Sequence, residues 1–116
     1  MNAQLRTVLM EEMTWPEIQA AIERGYHTVL LPASSIEQHG PHLPTGTDTI
    51  LGYALAREVA RLLGNALVAP ALRPGSSAHH MDFPGTLTLR FQTFVEVLRD
   101  LCHSLARCGF RHVVLF

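Results

Sequence analysis

Between Ser35 and Asp48 the chain gathers Glu37, His39, His42 and Asp48 within fourteen residues. Carboxylates and imidazoles are the ligands of hydrolytic zinc and manganese sites. In an extended segment residues i and i+2 point to one side, so Glu37 and His39 can face a single cavity while Gln38 turns away. Asp48 follows a Gly40-Pro41 turn and a Pro44-Thr45-Gly46 turn. It opens a helix-like pattern, where the helix dipole favours a negative group. A carboxylate so placed can bridge two cations, one oxygen to each. The chemistry these residue types allow is metal-dependent hydrolysis; the plain alternative is a polar turn with solvated side chains.

A second polar stretch, Arg73 to Thr86, holds two prolines, two glycines, two serines and the pair His79-His80. A long ordered loop of that composition tends to carry function. Of the pair, His80 reads as facing a site and His79 as a surface residue. Gly75-Ser76-Ser77 is not a phosphate loop, since no lysine follows it in a helix. His42 has two readings, a turn cap or a neighbour of the ligands. His27, His103 and His112 read as exposed or structural, and Trp15 as a core or interface residue.

The elements that must position these loops alternate along the chain. Thr14-Trp15-Pro16-Glu17 is a helix start with Thr14 as N-cap and Glu17 at the capping-box position, running to about Arg24 before Gly25. Thr28–Leu31 is a short apolar run that suits a strand covered on both faces. From Thr49 to Leu63, Leu51, Leu55, Val59, Leu62 and Leu63 recur at helical spacing, predicting an amphipathic helix closed by Gly64 and Asn65. Ala66–Ala69 is a second buried strand ended by Pro70, and Thr86–Arg90 alternates as an edge strand would. Phe91, Phe94, Val95, Leu98, Leu101, Cys102 and Leu105 share one face of a last helix that Gly109 stops. His112–Phe116 is predicted as a third buried strand.

This order gives an α/β fold with a parallel sheet and helices on both faces. Both polar loops follow strands, so both emerge at the carboxyl edge of the sheet. The topology alone brings His39 and His80 towards one another.

Composition narrows the function classes. Across 116 residues, 47% hydrophobic and 16% charged content supports a packed core rather than disorder. No apolar run approaches the roughly twenty residues of a membrane span. The net charge is −1 and no arginine cluster offers a surface for phosphate backbones, so neither nucleic acid nor membrane is an expected partner. The N-terminus lacks a signal-peptide pattern, which makes the cytoplasm the expected location. Cys102 and Cys108 match no zinc spacing and read as ordinary thiols.

Glu37-Gln38-His39-Gly40-Pro41-His42-Leu43-Pro44 with Thr47-Asp48, followed by Gly75-x-Ser77-x-x-His80-x-x-Phe83-Pro84-Gly85-Thr86, resembles the creatininase family. Thr14-Trp15-Pro16-Glu17 and Gly109-Phe110-Arg111-x-Val113-Val114 resemble that family's segments at the same relative places. The resemblance runs over essentially the whole chain. It implies a three-layer α/β/α sandwich that hydrolyses a carbon-nitrogen amide bond in a small, often cyclic molecule. It implies two divalent ions (zinc, manganese or iron), an activated water and an oligomeric protein. Glu37 would ligate one ion, His39 the other, and Asp48 would bridge them. Ser77 and His80 would serve catalysis or touch substrate, and His42 would stand behind the ligands. Family members continue past the third strand into a glycine- and histidine-rich loop carrying further ligands. Residues 1–116 are therefore expected to be the N-terminal part of one creatininase-like domain, supplying part of a site. The rival expectation is a non-catalytic α/β module, or an inactive fragment, that assembles through its exposed third strand.

Overall fold

A computed structural model describes residues 5–116. Three helices and three strands alternate: α1 (Trp15–Glu23), β1 (Thr28–Leu31), α2 (Thr47–Leu63), β2 (Ala66–Val68), α3 (Phe91–Cys108) and β3 (His112–Leu115). Short 3-10 turns occupy Met10–Glu12 and Ala78–His80. The strands are parallel in the order β2-β1-β3, with Thr28 opposite both Ala66 and His112. Single bridges pair Leu9 with Val68 and Ala33 with Leu72, and the second of these carries the β1–β2 alignment past the strand ends.

Side-chain alternation along the strands divides the core in two. On one face, Leu30, Ala66 and Val68 pack with Ala56 and Ala60 of α2 and with Val8 and Leu9. On the other, Val29, Leu31, Leu67 and Ala69 pack with Ala21 of α1, Leu105 of α3 and Phe110. The result is the three-layer α/β/α arrangement, built on apolar runs buried on both faces. Each fully buried leucine, such as Leu31 or Leu67, contributes roughly 1.5–3 kcal/mol relative to exposure.

Local signals act where the sequence places them. The Thr14 backbone N–H and hydroxyl donate to Glu17 Oε2 at 2.7 and 2.9 Å, completing the capping box and holding the Glu17 carboxyl below its usual range. Gly64 and Gly109 end α2 and α3 with φ of 72° and 109°, the left-handed conformation that favours glycine.

Three expectations are corrected. The leucine face predicted for the second helix does not pack on the sheet: Leu51, Leu55 and Leu62 are 60%, 59% and 86% exposed. Thr49, Ala56 and Ala60 are buried instead, because small side chains let α2 lie closer to β1 and β2. The third strand is paired but not buried. It stands at the sheet edge, and only Val113 packs under the helices while Val114, Leu115 and Phe116 remain exposed. Thr86–Arg90 forms no strand; a single antiparallel bridge joins Leu87 to Ile36. The alternation there has another cause, since the Thr86 and Thr88 hydroxyls accept hydrogen bonds from the Gln38 and Ser77 backbone N–H groups.

Candidate metal centre

The chain leaves β1 through Pro32 and Ala33 into Ser34 and Ser35, both buried. Three hydrogen bonds then fold the motif loop onto the start of α2. Ser35 Oγ donates to Asp48 Oδ2 at 2.5 Å, Thr49 Oγ1 to the Ser35 carbonyl at 3.3 Å, and the Glu37 N–H to the Thr45 carbonyl at 3.0 Å. Asp48 is thereby fixed in the first turn of α2, and its second oxygen, Oδ1, lies 3.2 Å from His39 Nε2. His39 Nδ1 meets the Glu37 carbonyl oxygen at 3.0 Å. Glu37, His39 and Asp48 each offer a ligand atom, and the three atoms lie within 4.8 Å of one another.

The electrostatics follow from these contacts. The Ser35 hydroxyl holds the Asp48 carboxyl below the usual carboxylate range against a desolvation cost, with His39 adding to the effect. The Glu37 carbonyl pushes the His39 imidazole up, desolvation opposes it, and Asp48 assists. A carbonyl can only accept, so His39 Nδ1 carries a proton. In the neutral ring the Nε2 lone pair then faces the Asp48 Oδ1 lone pairs. Two acceptors at 3.2 Å require a positive species between or on them, either a proton or a cation. A histidine whose other nitrogen donates to a backbone carbonyl is the usual preparation of a metal ligand.

The second loop closes over the same edge. Gly75 sits so close to β1's extension that a Cβ there would lie 2.5 Å from the Ser34 carbonyl oxygen. Beyond it, Ser77 is fully buried, and its Oγ has no partner among the described residues. His79 and His80 follow on the 3-10 turn, and Glu37 also groups with them, again with ligand atoms within 4.8 Å. His80 Nδ1 meets Gln38 Nε2 at 2.9 Å. A cavity of about 890 Å³ is lined by Glu37, Asp48, Ser77 and His79 together with Leu55 and Phe94.

The structure thus brings Glu37, His39 and Asp48 together and sets Ser77 and His80 beside them. It leaves His42 exposed over Gly40, outside both ligand groups. Reasoning from sequence missed Ser35 and Gln38, whereas His79, read as a surface residue, is exposed and also lines the cavity. Ser35 carried a readable signal, the second of two serines that follow the apolar strand within four residues. Gln38 did not: alternation turns it from Glu37 and His39, yet its amide meets His80 on the other loop, a histidine that groups with Glu37.

A sequence profile of creatininases, described as creatinine amidohydrolase, matches residues 11–116. The chain belongs to the creatininase family. It is 35% identical over 115 residues to creatinine amidohydrolase of Pseudomonas putida, covering 95% of this chain and 44% of that protein. It is 30% identical over 108 residues to 3-dehydro-scyllo-inosose hydrolase of Thermotoga maritima, covering 93% of this chain and 34% of the relative. A zinc-zinc form of a creatininase variant superposes with a TM-score of 0.87 at 35% identity, over 96% of this chain and 45% of the other. A manganese creatininase also gives 0.87, at 36% identity over 95% of this chain and 44% of the other. The chain therefore spans less than half the length of the creatininases it matches. Among its described residues no helix is long and apolar enough to cross a membrane.

Proposed function

We propose that residues 1–116 are the N-terminal part of one creatininase-like domain and contribute Glu37, His39 and Asp48 to the metal site of an amidohydrolase. Its substrate would be a small molecule with a carbon-nitrogen amide bond, often cyclic. The observation that carries this reading is the approach of His39 Nε2 to Asp48 Oδ1 at 3.2 Å, with a Glu37 carboxylate oxygen close by. The donor set of two carboxylates and one imidazole fits zinc, manganese or iron. Two such divalent ions would polarise an amide carbonyl and supply a nucleophile at neutral pH.

The chain's own residues prepare that chemistry. Ser35 holds Asp48 Oδ2, so the carboxylate plane is set and Oδ1 is directed at His39. The Glu37 carbonyl orients the His39 ring, while the Glu37 carboxylate faces both histidine groups. Ser77 and His80, on the opposing loop, are the residues proposed to assist catalysis or touch substrate. His42 is proposed to support the loop from outside the ligand set. Free thiols at Cys102 and Cys108 agree with a cytoplasmic location.

Metal content measured by mass spectrometry tests the site. Bound divalent ions in the wild type and their loss in Asp48→Asn are expected; unchanged stoichiometry in the variant would refute the assignment.

A second reading is favoured by the exposed leucines of α2 and the exposed edge at β3. Here the chain is an α/β module that assembles through these surfaces, in a homo-oligomer whose neighbouring subunit covers them.

A further inference from the structure

His39 and His80 approach Glu37 from opposite loops, yet their partners impose opposite protonation patterns on the two rings. For His80 the partner is Gln38, whose side chain has its own fixed orientation. The Gly40 backbone N–H donates to Gln38 at 2.9 Å, so the amide atom facing Gly40 must be the oxygen, Oε1. The amide nitrogen therefore faces His80, and at 2.9 Å it donates to Nδ1. An Nδ1 that accepts a hydrogen bond is unprotonated, which leaves the proton of the neutral ring on Nε2. The Gln38 backbone N–H also donates to Thr86 Oγ1 at 3.3 Å, so the residue ties both loops together.

From this chain of donors we propose that Gln38 is a positioning residue that fixes His80 as the Nε2–H tautomer. The Nδ1 lone pair is occupied by the amide and Nε2 has none to offer. His80 is therefore excluded from coordinating a cation, and the group Glu37, His79 and His80 does not form a metal site in this arrangement. His80 instead presents a hydrogen-bond donor, with a ring nitrogen within 4.8 Å of a Glu37 carboxylate oxygen. The ligand such a donor recognises is an acceptor atom, a carbonyl oxygen or unprotonated ring nitrogen. That last step rests on the amidohydrolase reading, whereas the tautomer itself does not. His39 is the mirror case, since the Glu37 carbonyl forces Nδ1–H and frees Nε2 for a cation.

Long-range proton–nitrogen NMR spectra of the histidine rings in metal-free protein test this, with His80→Gln assigning the His80 signals. Wild type should show His80 as Nε2–H. Gln38→Glu, whose carboxylate can only accept, should swap it to Nδ1–H, and Gln38→Leu should leave a mixture. Wild-type His80 found as Nδ1–H, or Nε2–H persisting unchanged in both variants, would overturn the proposal. Should Gln38→Glu fail to fold, the wild-type tautomer together with Gln38→Leu decides. Zinc addition separates the two readings: it should shift His39 and leave the His80 tautomer intact. A zinc-nitrogen bond at His80 overturns the tautomer proposal. No zinc effect on either ring counts against the metal site while the Gln38 assignment stands.

Discussion

Replacing Ser35 with alanine removes one oxygen atom from the candidate site, the hydroxyl that donates to Asp48. Ser35 Oγ donates to Asp48 Oδ2 at 2.5 Å from a buried position, so the bond is short and charge-assisted. Hydrogen bonds to charged groups contribute about 1.5–3 kcal/mol. The Asp48 side chain is 39% exposed, and water takes over part of the lost interaction. The expected cost at neutral pH is therefore about 1–1.5 kcal/mol, at or below the bottom of that range. The sign with pH follows from linkage. The Asp48 carboxyl is lowered in the folded protein, with the Ser35 hydroxyl its largest cause, so the stabilisation is fully present above the unfolded value of 3.8. It is lost as pH falls through the lower folded value. Urea unfolding should thus show a Ser35→Ala deficit that is constant from neutrality down to about pH 4.5 and closes below 3.8. In parallel, freeing the carboxylate should weaken zinc affinity by about 10–100-fold, the usual effect of losing a group that orients a ligand. A deficit that stays the same at every pH, or zinc affinity equal to wild type, would refute the reasoning.

Gly75→Ala places a methyl carbon 2.5 Å from the Ser34 carbonyl oxygen, and a backbone atom cannot rotate away. The expected destabilisation is about 1–3 kcal/mol, read as a fall in melting temperature; an unchanged melting temperature would show that the two loops are not packed this closely. On α2, Leu55→Glu with Leu62→Glu should change stability by no more than about 0.5 kcal/mol per site, because both side chains are already more than half exposed. If the stripe is an assembly surface, sedimentation should show wild-type oligomers converted to monomers by this pair; a wild type monomeric at all concentrations tested would sink that reading.

How much of this was legible in the sequence depends on where the determining partner lies. β1 and β2 were readable because a doubly covered strand is apolar without interruption, and Thr28–Leu31 and Ala66–Val68 are such runs. The glycine stops of α2 and α3 and the capping box of α1 were readable because their causes are local. The convergence of the two polar loops was readable from topology, since parallel strands put both at one edge. The face of α2 was not. Its leucines and its alanines both recur at helical spacing, and periodicity does not say which stripe meets the sheet and which meets something else. The exposed flank of β3 has the same origin, a strand whose pattern anticipates cover that the described residues do not supply.

The histidines carry the same lesson into the chemistry. His39 and His80 are the same side chain, both placed at the sheet edge by strand-to-loop transitions, and their residue type predicts either ligand or donor. What separates them is the nature of the nearest polar partner, a carbonyl oxygen for His39 and an amide nitrogen for His80. The amide is itself set by the Gly40 N–H, which its turn aims back at Gln38. A single reversal of donor and acceptor along Gly40, Gln38 and His80 would convert His80 from hydrogen-bond donor to potential ligand. In the proposed arrangement, the orientation of one glutamine side chain, rather than the histidines themselves, sets the two rings apart.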